Sequence, residues 1–88
     1  MFKVLLAKAP LKFFNELDDK IKTRMLSLFG ILETNPWPAK EFDLIKIEGL
    51  TDCFRIRVGK FRICYTVNLD SKEITIYRIE RRSETTYK

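Results

Sequence analysis

Three arginines and a lysine lie within one short stretch of the chain, CFRIRVGKFRICYTV, residues 53–67. They are Arg55, Arg57, Lys60 and Arg62, and the stretch contains no acidic residue that would balance them. A guanidinium group presents a planar fork of hydrogen-bond donors that matches the oxygens of a phosphate group. These residues are therefore candidates for binding phosphate.

The four cations are spaced as in two β-strands joined by a tight turn. Apolar and polar residues alternate on both sides of Gly59-Lys60, so one face of the hairpin is apolar and the other is cationic. This turn places Arg57 opposite Arg62 and Arg55 opposite Cys64. Charge count alone favours a solvated strand surface. However, like charges directly opposite each other destabilise a sheet by up to about 1 kcal/mol, which favours a binding site for an anion.

The chain has no histidine, and this excludes Ser-His, Cys-His and other histidine-based acid–base schemes. The hairpin register makes Cys53 and Cys64 diagonal neighbours, about 7–8 Å apart, which is too far for easy disulfide formation. We therefore expect two free, reduced thiols, as is usual in the cytoplasm. Two cysteines without histidine predict no zinc site, and no cofactor is expected.

Length and charge limit the possible functions further. We expect the 88 residues to form one domain, residues 1–88, with a single core. The 17 Lys and Arg against 12 Asp and Glu give a net charge of +5, which favours an anionic partner, most simply nucleic acid. No apolar run is long enough for a secretory signal or a membrane span. We therefore expect a cytoplasmic protein with no membrane contact.

The first half of the chain predicts a strand and then a helical hairpin. Residues 2–7, FKVLLA, have the composition of a strand. From Pro10 apolar residues recur at helical spacing as far as Leu32, with a break near Leu17-Asp18-Asp19. The prolines of TNPWPAK end the helical stretch, and the segment EFDLIKIEGL is at best a short extended piece.

The second half predicts an antiparallel meander of three strands. These are CFRIRV, KFRICYTVN and EITIYRI, joined by the short turns GK and LDSK. The apolar face of this sheet needs cover, and the helical hairpin is the only element long enough to supply it. The predicted fold is α+β, with the helices packed on one face of the sheet.

The chain resembles the RelE toxins of the RelE/ParE superfamily, and among them the archaeal type. The resemblance covers the order of elements, the segment IKIEG, the stretch CFRIRVGKFRICYTV and the ending ERRSETTY. It implies a RelE-like fold and an mRNA endonuclease that cleaves the codon in the ribosomal A site. It also implies a co-expressed antitoxin of the RelB type. Because the toxin surface is basic, an acidic amphipathic antitoxin segment is expected to cover it.

The resemblance also implies site residues. The family's pair of basic strand residues, usually lysines, falls on Arg55 and Arg57, and its arginine after the hairpin turn falls on Arg62. Its arginine near the end of the last strand falls on Arg81 or Arg82, and its terminal tyrosine on Tyr87. These are the predicted catalytic residues. Lys46 and Lys60 are predicted to bind RNA.

RNA cleavage without a metal ion or histidine uses the 2′-hydroxyl as the nucleophile and yields a 2′,3′-cyclic phosphate. Fixed cations that stabilise the extra negative charge are typically worth about 3–4 kcal/mol per contact. Arginine is a poor general base because its pKa lies above 12. With arginines at both usual lysine positions the base stays open among Lys46, Lys60, Glu84, Tyr87 and water.

Two other functions remain open at the level of sequence. One is a ParE-like inhibitor of DNA gyrase with the same fold, and the other is a non-catalytic basic RNA-binding module. The basic residues of the second helix, Lys20, Lys22 and Arg24, form either a solvated face or a secondary contact to ribosomal RNA. Trp37 is expected to anchor its loop on the core rather than to stack on a base.

Overall fold

The computed structural model describes residues 1–81. Along this part of the chain the elements are β1 (Lys3–Leu6), α1 (Lys8–Asn15), α2 (Asp19–Thr34), β2 (Asp43–Lys46), β3 (Cys53–Val58), β4 (Phe61–Asn68) and β5 (Glu73–Arg81). The predicted order of strand, two helices and three strands is confirmed, and the ambiguous segment contributes the short strand β2. Neither helix of the described chain is long and apolar enough to cross a membrane.

The five strands form one sheet in the order β1-β5-β4-β3-β2. Strands β2, β3, β4 and β5 pair antiparallel with one another in that order, so the predicted meander gains β2 at its outer edge. Strand β1 lies on the other edge and runs parallel to β5, with Lys3 beside Glu73 and Leu6 beside Ile76. The first and last strands of the described chain are therefore direct neighbours.

The helical hairpin packs on one face of this sheet, here called the core face. Asp18 caps α2, because its side chain accepts a hydrogen bond of 3.0 Å from the backbone N–H of Ile21. This confirms the predicted break between the helices. Side chains of α2 pack against the apolar side chains of β3, β4 and β5. The buried helix residues are Met25, Leu28, Phe29 and Leu32.

Tyr65 of β4 fixes the loop that follows α2. Its side chain is fully buried, and its hydroxyl donates a hydrogen bond of 2.6 Å to the carbonyl oxygen of Pro36. The Trp37 ring packs edge-on against Phe54, with 6.2 Å between ring centroids. Trp37 therefore anchors this loop, as its sequence context predicts, although 41% of its surface stays exposed.

The β3–β4 hairpin has the predicted register. Arg57 pairs with Arg62, Arg55 with Cys64, and Cys53 with Thr66. Gly59 opens the turn with a φ of 57°, a conformation that glycine adopts without steric cost. Cys53 and Cys64 are free thiols, as expected, and both are buried.

Strand β5 is irregular where it passes Cys64. The pairing of Cys64 with Arg78 is followed by Tyr65 with Ile76, so Tyr77 is an additional residue on the β5 side. Such a bulge changes which side chains point to each face. Beyond it, Arg78 and Glu80 pair with Cys64 and Arg62 on the face away from the helices, here called the outer face. Arg81 pairs with Phe61 on the core face.

Candidate functional site

Three of the predicted site residues meet on the outer face. Arg55 and Arg57 come from β3 and Arg62 comes from β4, and all three line one cleft of about 230 Å³. Asp43 and Ile45 of β2 complete its wall. We call this the arginine cleft. The alternation of side chains along each strand turns the three guanidinium groups to the same side of the sheet.

Asp43 supplies a carboxylate that the hairpin sequence lacks. One of its oxygens lies 2.5 Å from a terminal nitrogen of Arg57, and about half of each side chain is exposed. The expectation that the cationic face has no counter-charge is therefore wrong for Arg57. The pair is possible because β2 lies beside β3, with Asp43 directly opposite Arg57. An ion pair this exposed contributes at most about 1 kcal/mol to stability.

A second carboxylate lies on the far side of the cleft. Glu80 is directly opposite Arg62 on β5, and its side chain forms an ion pair of 3.5 Å with Arg78. Within residues 1–81, no carboxylate lies in ion-pairing distance of Arg55 or Arg62. The cleft therefore keeps two arginines whose charges no described acidic group neutralises directly.

Cys64 lies beside these arginines but is not arranged as a nucleophile. Burial raises the pKa of its thiol, and the charge of Glu80 raises it further, while Arg55, Arg78 and a hydrogen bond with the Tyr77 side chain lower it. The net direction is upward, which favours the protonated thiol. Cys64 therefore acts as a small side chain that fills space beside the arginines, and not as a nucleophile.

The other predicted site residues do not share the arginine cleft. Arg81 lies on the core face, with its guanidinium 5.1 Å from the centroid of the Phe61 ring. Lys46 pairs with Phe54 and so belongs to the core side of the sheet edge. Lys60 lies in the turn between β3 and β4. Arg82 and Tyr87, the two remaining predictions, lie outside the described residues.

Sequence reasoning did not include Asp43, Ile45 and Glu80 in the site. Asp43 and Ile45 reach the site because part of EFDLIKIEGL forms a strand that pairs with β3. Without that pairing, the sequence does not indicate that they lie near the arginines. Glu80 lies opposite Arg62 because of the β5 bulge, and the sequence pattern does not predict this bulge. Among residues 1–81, no three Cys, Asp or Glu side chains come close enough together to hold a metal ion.

Comparison with known proteins shows which family this chain belongs to. Residues 6–86 match the sequence model of a family described as the ParE toxin of the type II toxin–antitoxin system parDE. The chain is also 37% identical, over 99% of its length and 96% of the relative's, to the protein named RelE1 of Methanocaldococcus jannaschii. The chain belongs to the RelE/ParE family of type II toxins. It is a RelE-type toxin of a toxin–antitoxin system.

Solved structures of RelE proteins share its fold. A chain of the archaeal RelE–RelB complex from Pyrococcus horikoshii superposes with a TM-score of 0.85 at 34% identity, covering 96% of this chain and 98% of that one. A chain of the RelB–RelE complex from Methanococcus jannaschii gives 0.73 at 27% identity, with 88% of each chain covered. The isolated RelE toxin of E. coli has the same fold at 14% identity, with a TM-score of 0.81 over 98% of this chain and 89% of that one.

Proposed function

We propose that this RelE-type toxin is a ribosome-dependent endoribonuclease that cleaves mRNA codons in the A site and thereby inhibits translation. The observation that carries the proposal is the convergence of Arg55, Arg57 and Arg62 on one cleft. Three guanidinium groups with one carboxylate among them suit a group that carries more than one negative charge. The scissile phosphodiester in its transition state is such a group.

The proposed reaction needs no metal ion. The 2′-hydroxyl oxygen attacks the adjacent phosphorus, the bond to the 5′-oxygen of the next nucleotide breaks, and the products are a 2′,3′-cyclic phosphate and a 5′-hydroxyl end. The 2′-hydroxyl loses a proton and the leaving oxygen gains one, so the reaction is balanced without a co-reactant. Arg55 and Arg62 stabilise the pentacoordinate phosphorane, where charge is greatest. The ribosome contributes by holding the mRNA in line for attack.

Asp43 is the proposed general base. Within residues 1–81 it is the one carboxylate that lines the arginine cleft, and its ion pair with Arg57 holds it at the cleft wall. Glu80 is a weaker candidate because it is paired with Arg78 and does not line the cleft. A carboxylate within reach of the 2′-hydroxyl can accept its proton, a role for which arginine is unsuited.

The partners of this toxin are proposed from the same family context. The archaeal relatives were crystallised as RelE–RelB complexes, so we propose a RelB-like antitoxin for this chain. An acidic, amphipathic antitoxin would complement a protein of net charge +5. The ribosome and its A-site mRNA are the proposed targets, and they place the toxin in the cytoplasm.

Primer extension on an mRNA in a translating extract tests the cleavage proposal. The wild-type toxin should produce cuts at A-site codons, and the co-expressed antitoxin should abolish them. Arg62→Ala should reduce the cutting rate by about 10²–10³-fold, the usual cost of removing one donor from a developing charge. Lys3→Ala, at the opposite end of the sheet, is the control and should cut at the wild-type rate. Undiminished cutting by Arg62→Ala would contradict the proposed role.

The same assay separates the second candidate function. The match to a family described as ParE toxins favours inhibition of DNA gyrase as that alternative. A gyrase inhibitor would leave the mRNA intact in the extract and would block supercoiling by purified gyrase. Parallel Arg81→Ala and Arg82→Ala variants show which of the two neighbours occupies the family's catalytic position, because the larger loss of cleavage is expected at that residue.

A further inference from the structure

A second basic cleft lies on the core-face side of the β3–β4 turn. It has a volume of about 450 Å³ and is formed where the start of α2 meets the tip of the hairpin and the end of β5. We call it the tip cleft. Its charged lining residues are Lys20, Arg24, Lys60, Arg81 and Asp18, and its apolar floor consists of Ile21, Val58 and Phe61.

Two arginines of the tip cleft rest on uncharged surfaces. The Arg24 guanidinium lies against Gly59, so close that a Cβ atom at position 59 would be 3.3 Å from one of its nitrogens. The Arg81 guanidinium lies 5.1 Å from the centroid of the Phe61 ring. In the described part of the chain, neither arginine has a carboxylate within ion-pairing distance. Within residues 1–81, therefore, no ion pair neutralises either guanidinium group.

Among residues 1–81, the only carboxylate that lines the tip cleft belongs to Asp18, and it is already engaged. Asp18 caps α2 through its hydrogen bond to the Ile21 N–H. The start of α2 also directs the positive end of the helix dipole toward this region. The tip cleft therefore favours anions, since it combines three cations, Lys20, Arg24 and Arg81, with one capping carboxylate and the helix N-terminus.

The tip cleft and the arginine cleft are the two sides of one hairpin end. The pair Arg57 and Arg62 faces the arginine cleft, and the next pair toward the turn, Val58 and Phe61, faces the tip cleft. Only the turn at Gly59-Lys60 separates them. A flexible polyanion bound in the first cleft can therefore continue around the turn into the second.

We propose that the tip cleft is a second binding subsite for the single-stranded RNA that occupies the arginine cleft. Arg24 and Arg81 bind phosphates of the nucleotides flanking the cleavage point, and the apolar floor takes a base. This inference rests on the RNA-cleaving function proposed above. RNA is favoured over an acidic peptide because only the turn separates the tip cleft from the arginine cleft, where RNA is proposed to bind. The rigid guanidinium forks of Arg24 and Arg81 also suit phosphate oxygens.

Fluorescence anisotropy with a non-cleavable RNA tests the subsite without the ribosome. The probe is a fluorescein-labelled 2′-O-methyl oligouridylate of eight nucleotides, titrated with the full chain at several salt concentrations. Arg24→Gln combined with Arg81→Gln should weaken binding at least tenfold. The slope of log affinity against log salt should become shallower by about 1.4, since each phosphate contact with a single strand contributes about 0.7.

The matched control removes two cations at the other end of the molecule. Lys3→Gln combined with Lys72→Gln causes the same loss of charge, and Lys72 rests on the Phe2 ring at 5.5 Å much as Arg81 rests on Phe61. The control should change affinity by less than twofold. Arg24→Lys with Arg81→Lys keeps the charge but loses the guanidinium forks, so it should recover only part of the binding. Circular dichroism of the glutamine variant checks that it is folded.

Two results would overturn the subsite. One is equal loss of affinity in the glutamine pair and the control pair, which would mean unspecific attraction by charge. The other is unchanged RNA binding with lost binding of the antitoxin, which would assign the tip cleft to a protein partner. Failure of mRNA cleavage in the extract is a separate outcome, because the probe cannot be cut and its binding is measured independently.

Discussion

At the scale of single residues, the three cleft arginines are not equivalent. Arg57 shares its charge with Asp43, whereas Arg55 and Arg62 have no carboxylate partner in the described chain. A cation that is already paired gains less from a new anion than one that is not. Arg55 and Arg62 are therefore the residues on which phosphate binding should depend most, and Arg57 has the additional task of holding Asp43.

Asp43→Asn tests the proposed base. The amide keeps the size of the side chain and can still accept a hydrogen bond from Arg57, but it cannot take up the 2′-hydroxyl proton. We expect cleavage in the translating extract to slow by about 10²–10⁴-fold, the usual contribution of general base catalysis.

Glu80→Gln is the matched control for that substitution. It removes the other carboxylate that flanks the arginines, and it should change the cleavage rate only a few-fold because Glu80 does not line the cleft. Equal losses in the two variants would show that the carboxylates act through the local charge balance, and that neither is the base.

At the scale of elements, the β3–β4 hairpin depends on the conformation of one residue. Gly59→Ala places a Cβ atom on a residue with φ of 57° and brings it to 3.3 Å from Arg24. The free energy of unfolding should fall by about 1–2 kcal/mol, mainly because L-residues disfavour this conformation. Urea unfolding followed by circular dichroism measures the change.

Gly30→Ala provides the contrasting substitution. Gly30 lies within α2, and a Cβ atom there meets nothing within 4 Å. Alanine in a helix interior is more favourable than glycine by about 1 kcal/mol, so this variant should be more stable than the wild type. Destabilisation by Gly30→Ala, or no effect of Gly59→Ala, would contradict this account of the two glycines.

The β3–β4 hairpin and the helical hairpin are elements that the sequence predicts well. Alternation around Gly59-Lys60 predicts the hairpin register residue by residue, since a shift by one residue would bury Arg57 and expose Ile56. The helical rhythm and the cap at Asp18 likewise predict the helical hairpin. These features depend on neighbours in sequence, which a single chain displays directly.

Long-range pairing is the part that the sequence does not show. Asp43 reaches Arg57 because β2 is an edge strand, and four residues of mixed polarity carry little periodic signal. The parallel position of β1 beside β5 and the β5 bulge are likewise products of tertiary packing. For this reason the arginines of the cleft were predictable, but their carboxylate neighbours were not.

At the scale of the whole molecule, a buried thiol and a buried phenol make the free energy of unfolding depend on pH. Burial raises the pKa of both Cys64 and Tyr65 above their ordinary values of 9.0 and 10.0. The unfolded chain therefore releases these protons before the folded chain does. The stabilisation is complete below about pH 9 and is lost as the pH rises toward the folded-state values. Each group lowers the free energy of unfolding by at most about 1.4 kcal/mol per pH unit.

Tyr65→Phe isolates the larger of these contributions. The variant should be less stable at pH 7 by about 1–3 kcal/mol, because the Pro36 carbonyl loses its hydrogen-bond donor. Above pH 10, however, it should lose stability less steeply than the wild type. Urea unfolding between pH 7 and pH 11 measures both effects, and parallel pH profiles would rule out Tyr65 as the source.

Charge is also unevenly distributed over the molecule. The turn between β3 and β4 carries the two basic clefts, while the loops at the other ends of these strands contain three acidic residues, Glu48, Asp52 and Asp70, and one basic residue, Lys72. A positive end on a protein of net charge +5 attracts polyanions over distances of about a Debye length, some 8 Å at physiological salt. We therefore expect the end of the molecule that carries the two clefts to face a polyanion as it approaches.

The parallel contact between β1 and β5 affects how the chain can fold during translation. Translation produces β1 first, but its hydrogen-bonding partner is made only when residues 73–81 follow. Until β5 has been made, the nascent chain has an unpaired first strand, and β4 lacks one of its two neighbours. The sheet therefore cannot form completely before residues 73–81 have been synthesised, so β1 and the helices must wait for a partner that is far away in the sequence.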